Sequence, residues 1–544
     1  MNGLREIIKE NRGYLAILVM LALVVYGLSL KNGFVWDDHH FIEGVKEHSQ
    51  LTLGNIIKSE YPVAGTGAYR PVRDVFYPPA FLVCGFAPAC YRGFTVGLHL
   101  LVTIMIFLLG VEMLGDKKAA LVGAGLFAVH PVHVEAVVWI TAGFDLISAV
   151  FYITALYFFA LSIKAKNQKL DKLTKLSWLM AGLAMLSNEL ALTLPLVIMA
   201  YDWLVVGNQP RKRGEAYLPY WALAGVYVVA RLGLGVANVT YVRPFPGLWQ
   251  TGLLSLLILG RYLQSLVLPV KMSVDTILAP GITGLFGIDH DPAKVLTPLN
   301  LASSGMLVAL GWCGTAVAAA GWSLRKHKQF AFGLVWVILG LIPVLQLTPL
   351  RVLWAERYTY FASMGAAVAV MVVIHELLKR KQWTKLVLGT AIFVMAGWGY
   401  LGANRIGDWQ SDVSLWTKTL SENPMSAAAT NSLAAVYMVE GNYQAALPYS
   451  EKTVELNPGV ERHQMNLINV YQQLGMYDKM VAFMESLLER QPGNMDLIFS
   501  IAQVYEEKLN DPARAHEYYA KAAAYAPDLP IVKAAMERTA TASE

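Results

Sequence analysis

The chain has 544 residues, of which 56% are hydrophobic and only 15% charged, and its mean hydropathy is +0.44. So much apolar surface excludes a soluble globular protein of this size and places the chain in a bilayer. The formal net charge of +5 does not indicate nucleic acid, because the basic residues cluster between apolar runs, where they report membrane orientation.

Apolar runs of roughly 16–22 residues recur from about residue 13 to 402, whereas 403–544 is polar and Ala-rich. The expected division is a membrane domain at 1–402, a linker at 403–423 and a soluble domain at 424–544. The first run, Gly13 to Leu30, follows Arg5, Lys9 and Arg12, but no small-residue cleavage site follows it, so it reads as a span and not a signal peptide. Further runs at 93–114, 119–140, 145–163, 176–188, 190–207, 217–235, 303–322, 329–349, 361–378 and 386–402 bring the expectation to about eleven spans. The run at 250–270 is interrupted by Arg261 and Gln264 and is assigned to the interface. Placing the basic clusters (Arg5 to Arg12, Lys117/Lys118, Lys164 to Lys175, Arg211 to Arg213, Arg325 to Lys328, Lys379 to Lys381) in the cytoplasm puts the N-terminus inside and the C-terminal domain outside. The first outer loop, 31–92, then holds Cys84 and Cys90, which either pair or stay as two free thiols on an apolar segment; Cys313 lies within a span.

That loop opens with Trp36-Asp37-Asp38-His39-His40-Phe41. Adjacent carboxylates at a membrane boundary are either a hydrated loop start or a general base with a neighbour that tunes it or binds a cation. Tyr69-Arg70-Pro71 can bring a guanidinium toward a phosphate. The next outer edge reads His130-Pro131-Val132-His133-Val134-Glu135, with Asp145 beyond it; two histidines and a glutamate could hold a divalent metal, although Pro131 breaks regular helical ligand spacing. Ser187-Asn188-Glu189 and the stretch from Gln346 through Arg351 to Glu356-Arg357-Tyr358 fall at other outer turns. All of these polar groups share one side of the membrane, as one polar site requires. There is no Gly-rich phosphate loop, Walker lysine or Ser-His-Asp order. Arginines at the outer face (Arg70, Arg231, Arg243, Arg351, Arg357) suit a phosphate, and carboxylates suit an attacking hydroxyl.

The soluble tail repeats. Pro424, Pro458, Pro492 and Pro527 are spaced 34, 34 and 35 residues apart, and Tyr437, Tyr471 and Tyr505 share the step of 34, as do Gly441 and Gly475. A period of 34 with a small residue in the turn and a proline at the end is a tetratricopeptide repeat, in which each helix pair buries its apolar face against the next. The extra residue near Leu509-Asn510-Asp511-Pro512 falls in a turn, and 530–541 reads as a capping helix. Such repeats bind extended peptides, so the tail is a candidate acceptor surface with Tyr437, Tyr471 and Tyr505 as its contact residues.

Phe34-Val35-Trp36-Asp37-Asp38, Tyr69-Arg70-Pro71, Phe127 to Val137 around His130-Pro131-Val132-His133, Ala355-Glu356-Arg357-Tyr358, Ser363-Met364-Gly365 and Arg405 to Trp416 together resemble the transmembrane and tetratricopeptide-repeat O-mannosyltransferases, of the GT-C superfamily. The resemblance covers nearly the whole chain. It implies an all-α, polytopic GT-C membrane domain followed by an α-solenoid, and an inverting enzyme that moves a sugar from a polyprenyl-phosphate donor to Ser or Thr of extracytoplasmic proteins. It further implies Asp37 as catalytic base with Asp38 beside it, and Arg70, His130, His133, Glu135, Asp145, Glu189, Glu356 and Arg357 around the donor, Arg357 being the first choice for its phosphate. Two departures stand out. Where the family usually has Gly-Arg-Ala-Asp this chain has Ala142-Gly143-Phe144-Asp145, and where it has Ser-Lys-Glu this chain has Ser187-Asn188-Glu189, so two cations are lost and the sugar need not be mannose. The short tail and the lack of a eukaryotic retention signal imply a bacterial inner-membrane version with a periplasmic tail. The competing expectations are transfer to a glycan or lipid acceptor, transfer of an oligosaccharide from a diphosphate carrier, and a membrane-anchored scaffold without catalysis.

Overall fold

The computed structural model describes residues 2–44, 54, 68–164, 172–235, 243–245, 247–286, 296–527 and 529–542. Most of the first outer loop between Gly44 and Ala68, and the basic cluster between Lys164 and Lys172, lie outside the described residues. The chain forms two compact units, one built on Met1–Ile288 and Val295–Pro424 and the other on Met425–Glu544.

The first unit is a multi-pass membrane domain. Among the described residues seven helices are long and apolar enough to cross a bilayer: Lys9–Lys31, Pro88–Leu114, Ile140–Lys164, Glu189–Val206, Ser304–Lys326, Glu356–Leu378 and Lys381–Asp408. An eighth is the pair Lys117–Ala128 and Pro131–Val138, bent by 50°. The three remaining expected spans are helices too, but Lys172–Met185 and Lys328–Leu341 have only 14 residues each and Gly214–Gly233, rich in Tyr and Trp, is less apolar. Leu248–Val267, expected at the interface, is a helix of 20 residues that is not among the seven.

Small residues set the tightest packing. Gly333 and Gly340 of one helix face Ala369 and Ala362 of the Tyr360–Leu378 helix, and Gly365 faces Trp336; a Cβ on any of the three glycines would come within 3.0 Å of its neighbour. This close approach supplies the van der Waals contact that membrane helices rely on, since lipid offers no hydrophobic drive for helix pairing. It also brings Pro343 and Val344 alongside Tyr360 and Phe361 at one end of the bundle.

The bend between the paired helices has a local cause. Pro131 has no N–H, and the residue before it, His130, is extended (φ −66°, ψ 123°), so the helix cannot continue. The His130 side chain caps the following turn by accepting from the Val132 N–H at 3.2 Å. A second extended residue, Trp139 (ψ 112°), breaks the chain again before Leu146–Lys164. Irregular backbone at membrane depth is tolerated where it lines a cavity.

Cys84 and Cys90 form a disulfide, Cα–Cα 5.4 Å, that ties the Tyr77–Cys84 helix to the start of Pro88–Leu114. The stretch 403–423, expected as a linker, is instead helical and belongs to the membrane unit. The last apolar helix runs on to Asp408, and Ser411 caps a further helix at Asp412–Glu422.

The second unit is a solenoid of helix pairs: Ala427–Val439 with Tyr443–Leu456, Glu461–Gln473 with Tyr477–Arg490, and Met495–Glu507 with Pro512–Tyr525, followed by Pro530–Ala542. Gly441 and Gly475 turn the chain between helices at φ +73° and +67°, a conformation that only glycine adopts without strain.

Candidate active site

The site begins where the first span ends. Asn32 donates from Nδ2 to the carbonyls of Ile406 at 2.9 Å and Trp409 at 3.0 Å, and buried Arg92 donates to the carbonyls of Asn32, Gly33 and Val138. Trp36 then takes a left-handed backbone conformation, φ +56°. That conformation strains a bulky residue, and here it turns the two aspartates apart. Asp38 goes inward and is fully buried. Its Oδ1 accepts from the Thr141 N–H at 2.9 Å and hydroxyl at 2.7 Å, and its Oδ2 from the Val35 N–H at 3.3 Å. Burial outweighs these bonds and pushes its pKa up to about 6. Asp37 faces a cavity. Burial raises its pKa as well, against the pull of Arg357, Arg351 and His40. Its carboxylate makes no hydrogen bond to a described side chain, so it is the acid left open to a substrate.

The cavity encloses about 460 Å³. One wall is Trp36, Asp37, His40 and Phe41; the others carry Arg70 and Arg73, Trp139, Thr141, Ala142 and Asp145 at the broken helix, Asn188 and Glu189, Arg231, and Arg351, Arg357, Tyr358 and Tyr360. Aromatic faces with a few convergent charges suit a sugar phosphate. Trp36 stacks on Trp139 with centroids 4.5 Å apart, and the Arg357 guanidinium lies 5.0 Å over the Trp139 ring.

Most cavity charges already hold one another. Arg70 grips both oxygens of Glu189 from Nε and Nη2 at 2.9 and 2.8 Å, and both oxygens of Asp145 from Nη1 at 2.8 and 3.0 Å. Arg73 adds a longer contact to Asp145 at 3.4 Å. Expected at the donor phosphate, Arg70 is thus a strut that fixes two carboxylates. Arg357 is bound by Glu135, which is buried and takes both its guanidinium and its backbone N–H. Arg351 differs: it is exposed to the cavity and makes no hydrogen bond or ion pair to a described residue. The Gln346 amide holds its turn, accepting from the Leu350 N–H at 2.9 Å and donating to the Val352 carbonyl at 3.2 Å.

Of the expected site residues, Asp37, Arg70, Asp145, Glu189 and Arg357 line the cavity, while Asp38, His130, His133, Glu135 and Glu356 do not. His130 is buried, with Nε2 on the Leu266 carbonyl at 3.1 Å; His133 uses Nδ1 on the Phe127 carbonyl and Nε2 on the Ser363 hydroxyl at 2.8 Å. With every ring nitrogen engaged, these histidines are helix-break fittings, and among the described residues no three His, Cys, Asp or Glu side chains gather as a metal ligand set. Glu356 is fully buried on Arg405 at 2.9 Å, because its helix turns it away from the cavity toward the last span. In the solenoid, Tyr471 and Tyr505 are buried and donate to Glu451 at 2.9 Å and Glu485 at 3.0 Å, while half-buried Tyr437 stacks on Tyr449. Their 34-residue step therefore marks helix-pair packing.

The two departures have local reasons. A Cβ at Gly143 would sit 2.3 Å from Thr95 Cγ2 and 2.7 Å from its Cβ, so no side chain fits there, and Phe144 instead stacks on Tyr77 at 4.0 Å. Gly143→Ala is expected to destabilise the protein by about 1–3 kcal/mol through overpacking, seen as a lower melting midpoint of the purified chain. Asn188 lines the cavity and caps the turn after it by accepting from the Leu190 N–H at 2.9 Å. Sequence reasoning missed Trp139, Thr141 and Arg73, and gave Tyr358 no role of its own. Trp139 and Thr141 lie well past Pro131, and no spacing along the chain singles them out.

No family model matches the chain. Protein O-mannosyl-transferase TMTC3 of Mus musculus is 23% identical over 477 residues, covering 80% of this chain and 50% of the relative. TMTC3 of Homo sapiens is 23% identical over 470 residues, covering 81% and 51%. Protein O-mannosyl-transferase Tmtc1 of Drosophila melanogaster reaches 32% over 142 residues, 25% of this chain and 16% of its own. The chain spans about half the length of the TMTC3 relatives it matches. Among solved structures, the archaeal oligosaccharyltransferase AglB from Archaeoglobus fulgidus, in complex with an inhibitory peptide and a dolichol-phosphate, aligns with a TM-score of 0.42 at 16% identity over 73% of this chain and 56% of that one. ArnT from Cupriavidus metallidurans in the apo state aligns at 0.39 and 13% identity, over 88% and 81%. Along 80% of its length the chain is thus similar, at 23% identity, to a protein O-mannosyl-transferase.

Proposed function

We propose that the protein is a glycosyltransferase that moves a hexose from a polyprenyl-phosphate donor to Ser or Thr hydroxyls of extracytoplasmic proteins, with inversion. The observation that carries this reading is the pairing of Asp37 with Arg351, neither of them hydrogen-bonded or ion-paired through its side chain to a described residue, in one aromatic-walled cavity. Asp37 takes the proton of the acceptor hydroxyl as its oxygen attacks the anomeric carbon, and the bond to the phosphate oxygen breaks. Arg351, aided by Arg357, holds the donor's phosphodiester and offsets the charge that the polyprenyl phosphate gains on leaving. The Trp36 and Trp139 rings offer apolar faces to the sugar. The name of the relatives supports transfer of mannose to protein. The Cys84–Cys90 disulfide fits an oxidising compartment, and with the basic clusters inside it supports a site facing the periplasm of a bacterial inner membrane. A repeat solenoid on that side is suited to presenting an extended acceptor peptide.

Arg351→Ala is expected to raise the donor KM about 10- to 100-fold, the loss of one or two charge-assisted hydrogen bonds, with Arg351→Lys in between because it keeps the charge without the fork. Steady-state kinetics on purified protein with a polyprenyl-phosphate hexose and a Ser/Thr peptide checks this. The function itself is tested by mass-spectrometric glycan analysis of envelope proteins from cells carrying the wild-type chain or Asp37→Asn. Loss of a hexose from Ser or Thr in the variant supports the reading. Unchanged protein glycans alongside an altered glycan or lipid would move the acceptor to that class.

A further inference from the structure

The catalytic turn is held by a residue that lies far from it in the chain. Asp412 is the first residue of the Asp412–Glu422 helix, and both of its carboxylate oxygens reach back to the turn. Oδ1 accepts from the Trp36 N–H at 2.7 Å, and Oδ2 pairs with His39 Nε2 at 2.7 Å. These two contacts fall one residue before and two residues after Asp37. The other ring nitrogen of His39 is engaged by Glu43, so the imidazole is fixed from both sides. One turn along the same helix, Trp416 packs edge-on against the Trp36 ring at 5.3 Å and 77°. The preceding turn adds its own grip, because the Gln410 carbonyl accepts from the Gly33 N–H at 3.0 Å.

We propose that Asp412 is a positioning residue for transfer, holding the left-handed Trp36 backbone and the His39 ring so that the Asp37 carboxylate points into the cavity. The inference rests on Asp37 being the base. Its physical basis is the strain at Trp36: a bulky residue at φ +56° persists only when its surroundings over-determine it. The bland alternative is that Asp412 merely complements the dipole at the start of its helix. That role needs no acceptor for the Trp36 N–H and no imidazole partner, whereas here one oxygen is committed to each.

The test uses the full chain, purified in lipid nanodiscs, with polyprenyl-phosphate mannose and a Ser/Thr-containing peptide. Asp412→Ala is expected to lower kcat about a hundredfold, the effect of misplacing a reacting group by about 1 Å, while the donor KM stays unchanged. Asp412→Asn keeps an oxygen for the Trp36 N–H and is expected to recover about tenfold of that loss. A kcat for Asp412→Ala equal to that of the wild type would overturn the proposal. So would a lower melting midpoint with Ala and Asn equally impaired, the signature of a helix-end effect. Asp37→Asn is measured alongside: if it stays active, the base reading falls whatever Asp412 does, whereas an inactive Asp37→Asn beside a fully active Asp412→Ala removes the positioning role alone.

Discussion

Asp37→Asn is expected to lower kcat by about 10²–10⁴-fold while leaving the fold and the donor KM unchanged, because it removes the cavity carboxylate that no described cation already holds. Asn fills the same volume and keeps an oxygen toward the cavity, and Asp37 is not needed to satisfy another buried group. The sign of its pH dependence follows from its surroundings. Only the ionised carboxylate is a base, so activity falls as pH drops through its pKa. Burial raises that pKa above the ordinary 3.8, which moves the acid limb of the kcat/KM profile to higher pH than an exposed aspartate would give. Arg351 pulls the other way, so Arg351→Ala is expected to move the limb higher still. A pH–rate series on the two proteins reads both effects. Asp38→Asn serves as the contrast: its oxygens bind Thr141 and Val35, so its loss is expected to appear in folded yield before it appears in the acid limb.

Arg405→Met is expected to cost about 3–5 kcal/mol of stability, a large fraction of a domain's ordinary margin. Arg405 lies in the last span, paired through its two Nη atoms with Glu356 at 2.9 Å and Asp408 at 3.0 Å. Its removal strands the Glu356 carboxylate, which is fully buried and whose Oε2 has no partner among the described residues. The same principle gives the control. Glu356→Leu combined with Arg405→Met removes both charges and is expected to recover most of the loss, as thermal melting of the solubilised double variant would show. If the double variant melts no higher than Arg405→Met, the pair is not the reason for the loss.

The resemblance and the residue patterns named residues at one end of the membrane bundle, and the structure brings some of them to the cavity and not others. Asp37 and Asp38 are indistinguishable as neighbours in a loop; the positive φ of Trp36 sends one to the cavity and the other into the core. His130 and His133 read as ligands from residue type alone, yet their nitrogens serve the Leu266 and Phe127 carbonyls and the Ser363 hydroxyl. Arg70 and Arg357 read as free cations until their carboxylate partners, 75 to 222 residues away, are counted. Arg351 was one arginine among five, and it is distinguished by lining the cavity without a described partner.

By itself the sequence determined what local pattern can determine. Hydropathy marks segments that must leave water, a step of 34 residues marks helix pairs that stack, and Pro131 marks where a helix stops, because each of these depends on neighbours along the chain. Tertiary structure alone decided which charges are spent and which are available. The grip of Asp412 on Trp36 spans 376 residues, and that of Arg70 on Glu189 spans 119. Buried ionic groups must find partners wherever the fold places them, so the reactive pair is whatever that pairing leaves over.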